Sequence, residues 1–90
     1  MSYEVVLTER FAKEVEKHKK SGDKKLAQKI YSFLQELREH PRSGTGKPEQ
    51  LKGFTTERWS RRIDQRHRLV YEIREDELIV LTISAYGHYE

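Results

Sequence analysis

The chain has 90 residues, no cysteine, and 18 Lys+Arg against 15 Asp+Glu, a formal net charge of +3. That length predicts one domain, 1–90, able to bury roughly 60 to 65% of the surface its unfolded chain exposes, and the lack of cysteine excludes disulfides and thiolate metal sites. No apolar run approaches the roughly 20 residues that cross a bilayer, and residues 1–7 carry no basic segment ahead of an apolar stretch, so a soluble cytoplasmic protein with no membrane partner is expected.

In chain order, residues 3–7 read as a short strand. Thr8 can cap a helix that starts at Glu9, an acid suited to the positive helix end. Phe11, Val15 and His18 share a face of that helix. Ser21-Gly22-Asp23 breaks the pattern and opens a second helix, in which Leu26, Ile30, Phe33, Leu34 and Leu37 recur at helical spacing. His40-Pro41 ends this helical hairpin, because a residue before proline avoids helical dihedrals. Residues 42–56 hold glycines at 44, 46 and 53 and a proline at 48, and read as a long ordered loop of the kind that often carries function. Strands follow at 58–63, 67–73 and 78–86. Their connections, Asp64-Gln65-Arg66 and Arg74-Glu75-Asp76-Glu77, are short and polar and predict antiparallel hairpins.

Side chains alternate faces along a strand, which divides the last three segments by parity. Odd positions gather Trp59, Arg61, Ile63, Leu69, Tyr71, Ile73, Ile79, Leu81, Ile83 and Ala85, the face expected under the helices. Even positions gather Ser60, Arg62, Arg68, Val70, Glu72, Thr82, Ser84, Tyr86 and, if the strand continues, His88. Arg62, Arg68 and His88 would then line an open sheet face, with Glu49 on a loop able to fold over its edge. A carboxylate, a set of arginines and a histidine are the base, phosphate stabilisers and acid that metal-free cleavage of an RNA strand requires. The charge distribution agrees. Residues 41–68 carry eight Lys/Arg against three acids, whereas 69–90 carry one against five, so the positive excess is localised as a polyanion partner would need.

Several features have plainer readings. Arg61 falls on the core side, where an ion pair with a helix acid is favoured over RNA contact. Trp59 is a core anchor and His67 has a structural role. His18 and His40 have no metal-ligand spacing and are assigned to the surface. Gly44-Thr45-Gly46-Lys47 imitates part of a phosphate-binding loop, but that pattern needs glycine at 41 and Ser/Thr at 48, and both positions are proline. The lysines at 17, 19, 20, 24 and 25 form a solvated surface at the hairpin tip.

The ordered series Gly46-Lys47-Pro48-Glu49, Leu51-Lys52, Trp59-Ser60-Arg61-Arg62-Ile63, His67-Arg68-Leu69-Val70-Tyr71 and His88-Tyr89 resembles the YoeB (Txe) branch of the RelE-like bacterial toxins nearly end to end. The resemblance implies an α+β, RelE-like microbial-RNase-type fold: a helical hairpin on one face of a small antiparallel sheet, in the order β-α-α-β-β-β. It further implies an endoribonuclease that enters the ribosomal A site and cuts mRNA. Carried over position by position, Glu49 matches the general base, Arg68 the transition-state arginine and His88 the general acid. Lys52 and Arg62 match supporting basic positions, and Tyr89 the tyrosine beside the acid; Tyr86 or Tyr89 could stack on an unpaired base. The implied partners are mRNA, the 70S ribosome and a cognate YefM/Phd-like antitoxin, and the resemblance suggests a homodimer. Neither metal nor cofactor is implied. The ending Tyr86-Gly87-His88-Tyr89-Glu90 lacks an arginine that family members often place before the tyrosine, and adds a terminal acid. A noncatalytic RNA- or ribosome-binding domain and an antitoxin-binding module are the competing readings; loss of two among Glu49, Arg68 and His88 would have favoured them.

Overall fold

The computed structural model describes residues 2–87, so His88 and Tyr89 lie outside the described residues. Two helices cover one face of a five-stranded sheet. The elements are β1 (Glu4–Leu7), α1 (Glu9–Lys20), α2 (Lys24–Leu37), β2 (Glu49–Leu51), β3 (Glu57–Arg62), β4 (Arg68–Arg74) and β5 (Ile79–Ser84), and the sheet order is β1-β5-β4-β3-β2.

Local chemistry accounts for the helix ends. The Thr8 hydroxyl accepts the Phe11 amide at the start of α1, and the Asp23 carboxylate accepts the Leu26 amide at the start of α2. Between β3 and β4, Asp64 Oδ1 accepts the amides of Arg66 and His67 at 2.8 and 2.7 Å, which closes the turn. Those bonds act against the burial of the carboxyl, and its pKa lies below the usual carboxylate value. The helices contribute Phe11, Leu26, Ile30, Phe33 and Leu37 to the core, and the sheet contributes Ile63, Leu69, Tyr71, Ile73, Val80 and Ala85. Each large apolar side chain fully buried in this way stabilises the fold by roughly 1.5–3 kcal/mol. Trp59 packs against this core, as its parity predicts.

Four expectations need correction. The sheet is mixed, because β1 pairs with β5 in parallel, Val5 opposite Val80, while the other pairs are antiparallel. The loop read over 42–56 contains β2, which pairs with β3 at the sheet edge; three residues between Pro48 and Gly53 are too few to show an alternating pattern. Parity holds in β3 and β4 but slips in β5. There, a register irregularity at Val70/Tyr71 sets Tyr71 opposite Thr82 and Ile73 opposite Val80. The even residues Val80 and Thr82 are therefore fully buried on the helix side, and Leu81 shares the other face with Glu72. Finally, His18 is not on the surface: it is 3% exposed, and its Nε2 donates to Ala85 O at 2.7 Å. The apolar stripe of Phe11 and Val15 carries this histidine inward with it.

Candidate active site

The face of the sheet opposite the helices is built row by row. Glu49 of β2 stands opposite Ser60 of β3, which stands opposite Val70 of β4; in the next row Arg62 of β3 stands opposite Arg68 of β4. Ser60 is small and fully buried, and its hydroxyl accepts from Arg68 Nη1 at 3.3 Å. The guanidinium thus leans back across Ser60 and comes within 3.8 Å of Glu49 Oε1. The Glu49 side chain is 60% exposed and that of Arg68 19%, so the pair is open to an incoming ligand on the carboxylate side. Like charges directly opposite across a strand pair are unfavourable. The Arg62/Arg68 row therefore holds positive charge at some expense to the sheet.

The edge that presents Glu49 is fixed from beneath. Arg61, on the helix side of β3, is fully buried. It forms an ion pair with Glu36 of α2 and donates to the carbonyls of His40, Ser43 and Thr45 and to the Tyr71 hydroxyl. This is the helix-acid pairing expected from its parity. Tyr71 in turn donates to Pro41 O at 2.6 Å. Burial acts to raise the Glu36 pKa, but hydrogen bonds from the Thr45 hydroxyl and amide and from Arg61 outweigh it and hold the carboxyl below its usual range. At the far end of the loop, Gly46 O accepts the Arg62 amide at 2.7 Å, and Lys47 takes a left-handed conformation at φ 51°. His40, Ser43, Thr45 and Gly46 are consequently tied to β3 and Pro41 to β4, and Glu49 follows them into β2.

The remaining expected residues divide. Lys52 is exposed just beyond β2, on the edge that carries Glu49, and Arg62 is exposed beside Arg68. Tyr86 is not on the open face with them. Its ring stacks on His18 of α1 at 4.9 Å, with the Lys17 ammonium 4.4 Å from the ring centroid. Gly87 is held at both ends: its amide donates to His67 Nδ1 at 2.8 Å and its carbonyl accepts the Arg68 amide at 3.0 Å. Ser60 was not singled out by sequence reasoning, although its even parity between Arg58 and Arg62 was the available signal.

A model of the YoeB-like toxin of bacterial type II toxin-antitoxin systems matches residues 9–89. The chain belongs to the YoeB-like toxin family. Among curated relatives, Toxin YoeB of Streptomyces coelicolor is 40% identical over 72 residues, which cover 80% of this chain and 83% of that one. Among solved structures, the YoeB/ParE toxin from Agrobacterium tumefaciens superposes with a TM-score of 0.86 at 31% identity, covering 96% of this chain and 99% of the other. The Staphylococcus aureus YoeB dimer superposes at 0.81 and 30% identity, covering 99% and 100%. A heterotetrameric YoeB-YefM toxin-antitoxin complex from the same organism gives 0.77 at 30% identity, again covering 99% and 100%. The likeness to YoeB toxins extends over the whole described fold, including the β2 edge that carries Glu49.

Proposed function

We propose that this YoeB-like toxin is a ribosome-dependent mRNA endonuclease that acts in the ribosomal A site without a metal and so arrests translation. The observation that carries the reading is the approach of Arg68 to Glu49 across Ser60, on a sheet face that also presents Arg62. Glu49 takes the proton of the ribose 2′-hydroxyl, and O2′ attacks the adjacent phosphorus. The P–O5′ bond breaks, His88 delivers a proton to O5′, and the products are a 2′,3′-cyclic phosphate and a 5′-hydroxyl. Arg68, with Arg62 and Lys52, stabilises the charge that accumulates on the phosphorane; removing one preorganised donor of this kind typically costs about 100- to 1,000-fold in rate. Tyr89, or Tyr86 once released from His18, offers a stacking surface for a base. The basic face fits an acidic antitoxin segment as well as RNA. A YefM-like antitoxin and a homodimeric toxin, in the cytoplasm, are the assemblies to expect by analogy with the S. aureus relatives.

The test is translation of a defined message on purified ribosomes, with the mRNA ends mapped. Cuts at A-site codons with cyclic-phosphate ends are expected, persisting in chelator and lost in Glu49→Gln and Arg68→Ala. A wild-type protein that binds ribosomes and leaves the message whole would rule the nuclease reading out.

A further inference from the structure

Three successive residues after β5 are each gripped by the body of the fold. Ala85 donates its amide to Glu14 of α1 at 2.8 Å and accepts from His18 Nε2 at 2.7 Å. Tyr86 lies against both imidazoles, 4.9 Å from His18 and 4.8 Å from His67 between ring centroids. Gly87 donates to His67 Nδ1 and accepts from the Arg68 amide. The last pair of bonds comes from adjacent residues at the start of β4. Gly87 is therefore fixed relative to Arg68, and the residue bonded to Gly87 is His88.

We infer that His67 is a positioning residue for the nuclease reaction: its ring and the Arg68 amide together lock Gly87, the residue to which the proposed acid is bonded in sequence. The inference rests on the nuclease reading above. Gly87 occupies φ +72° with no atom within 4 Å of where a Cβ would stand, so glycine serves the backbone conformation there and not a tight fit. The lock requires a neutral imidazole, since Nδ1 accepts the Gly87 N–H and only an unprotonated nitrogen can accept. His18 differs, because its Nε2 donates to a carbonyl. The groups facing His67 are Asp64 and Arg66 of the preceding turn, His18 of α1, Asp23 at the head of α2, and Tyr86, whose ring lies under the Lys17 ammonium. Burial lowers the His67 pKa, Asp64 and Asp23 oppose this, and His18 and Arg66 add to it, with a net displacement downward that favours the accepting form. Acidification through that pKa turns Nδ1 into a donor facing the Gly87 N–H, and the lock opens.

The experiment compares wild type, His67→Leu and His67→Asn on ribosome-bound message. Asparagine places an amide oxygen near the position of Nδ1 and does not titrate. His67→Leu should lower kcat by about 10- to 100-fold, the scale of a misplaced reacting group, with KM little changed. His67→Asn should recover most of that loss, and the acid limb of its kcat profile should move to lower pH. In wild-type protein alone, nitrogen NMR should find Nδ1 unprotonated at neutral pH, and the Gly87 amide should shift as His67 titrates. Wild-type kcat in a folded His67→Leu, an unmoved acid limb in His67→Asn, or a Gly87 amide indifferent to His67 would each overturn the inference. Failure of wild type to cleave would instead overturn the nuclease reading, with the NMR result still reporting on the lock.

Discussion

Glu36, at the end of α2, holds the guanidinium of Arg61 inside the fold, and through it the loop that leads to Glu49. Arg61 has no exposed surface, so removing its carboxylate leaves a buried charge with only neutral acceptors. Glu36→Ala should cost about 3 kcal/mol, toward the lower end for breaking a buried pair because three backbone carbonyls remain. A urea titration measures this. Arg61→Met removes both the charge and its anchor, and should reduce cleavage even where enough folded protein remains to assay, because His40, Ser43 and Thr45 lose their common attachment.

Glycine 46 is required by its neighbours as well as by its backbone. A Cβ there would lie 2.7 Å from Phe33 Cζ and 3.1 Å from Arg62 O, at φ +82°, whereas a Cβ on Gly53 at φ +90° would meet nothing within 4 Å. Both Gly→Ala changes incur the left-handed penalty of about 1–2 kcal/mol. Gly46→Ala should exceed Gly53→Ala by about 1–3 kcal/mol for overpacking the core. Equal losses in thermal melts of the two variants would contradict the packing account.

Acid should unfold the protein through a few specific carboxyls. Glu72 is 4% exposed; its burial acts to raise its pKa, but Arg74, Thr56 and Arg58 outweigh this and hold it below the usual value, and Glu36 and Asp64 are displaced in the same direction. A carboxyl whose folded pKa is depressed contributes stability that is complete above its unfolded value, about 4 for these residues, and is lost as pH falls through the folded value. Stability should therefore be flat in this respect at neutral pH and fall below about pH 4.5. Glu72→Gln should be less stable at pH 7 and show a shallower decline in acid. Urea midpoints measured across that range decide it.

Binding to RNA should separate from chemistry by its salt dependence. Removing Arg62 or Lys52 should reduce the slope of log affinity against log salt by about 0.7 for each phosphate of a single strand that is no longer neutralised. Glu49→Gln should leave that slope in place while abolishing cleavage. Because the Glu49 side chain is 60% exposed, Glu49→Gln should not unfold the protein. An unchanged slope in the Arg62→Ala, Lys52→Ala double variant would remove these residues from the RNA-binding surface.

Much of this architecture is legible in the residues themselves. The cap at Thr8, the break at Ser21-Gly22-Asp23, the helical spacing from Leu26 to Leu37 and the alternation in β3 and β4 are local signals, and each is matched in the structure. Alternation also separates Arg61 from Arg62, sending one to a helix acid and the other to the open face. What escapes depends on pairing between distant segments. The irregularity at Val70/Tyr71 reverses the faces of Ile79 to Thr82, while Ser84 stays opposite Val70, without a mark in the sequence of β5, and the short β2 is a strand only because β3 lies beside it. The embrace of Tyr86 and Gly87 by His18 and His67 is of the same kind, for no spacing rule joins residues 18, 67 and 87.

The parallel seam between β1 and β5 also bears on how the molecule is made. It joins residues near opposite ends of the chain, and beside it the Thr8 hydroxyl reaches Ile83 O across a separation of 75 residues. Pairings so remote in sequence are slow to form, because a long segment must be ordered before they are gained. The helical hairpin can assemble early from local packing, but the sheet cannot close until Ile79–Ser84 has been synthesised and threaded between β1 and β4. The five-stranded sheet that carries Glu49 and Arg68 is consequently complete only once β5 has joined it.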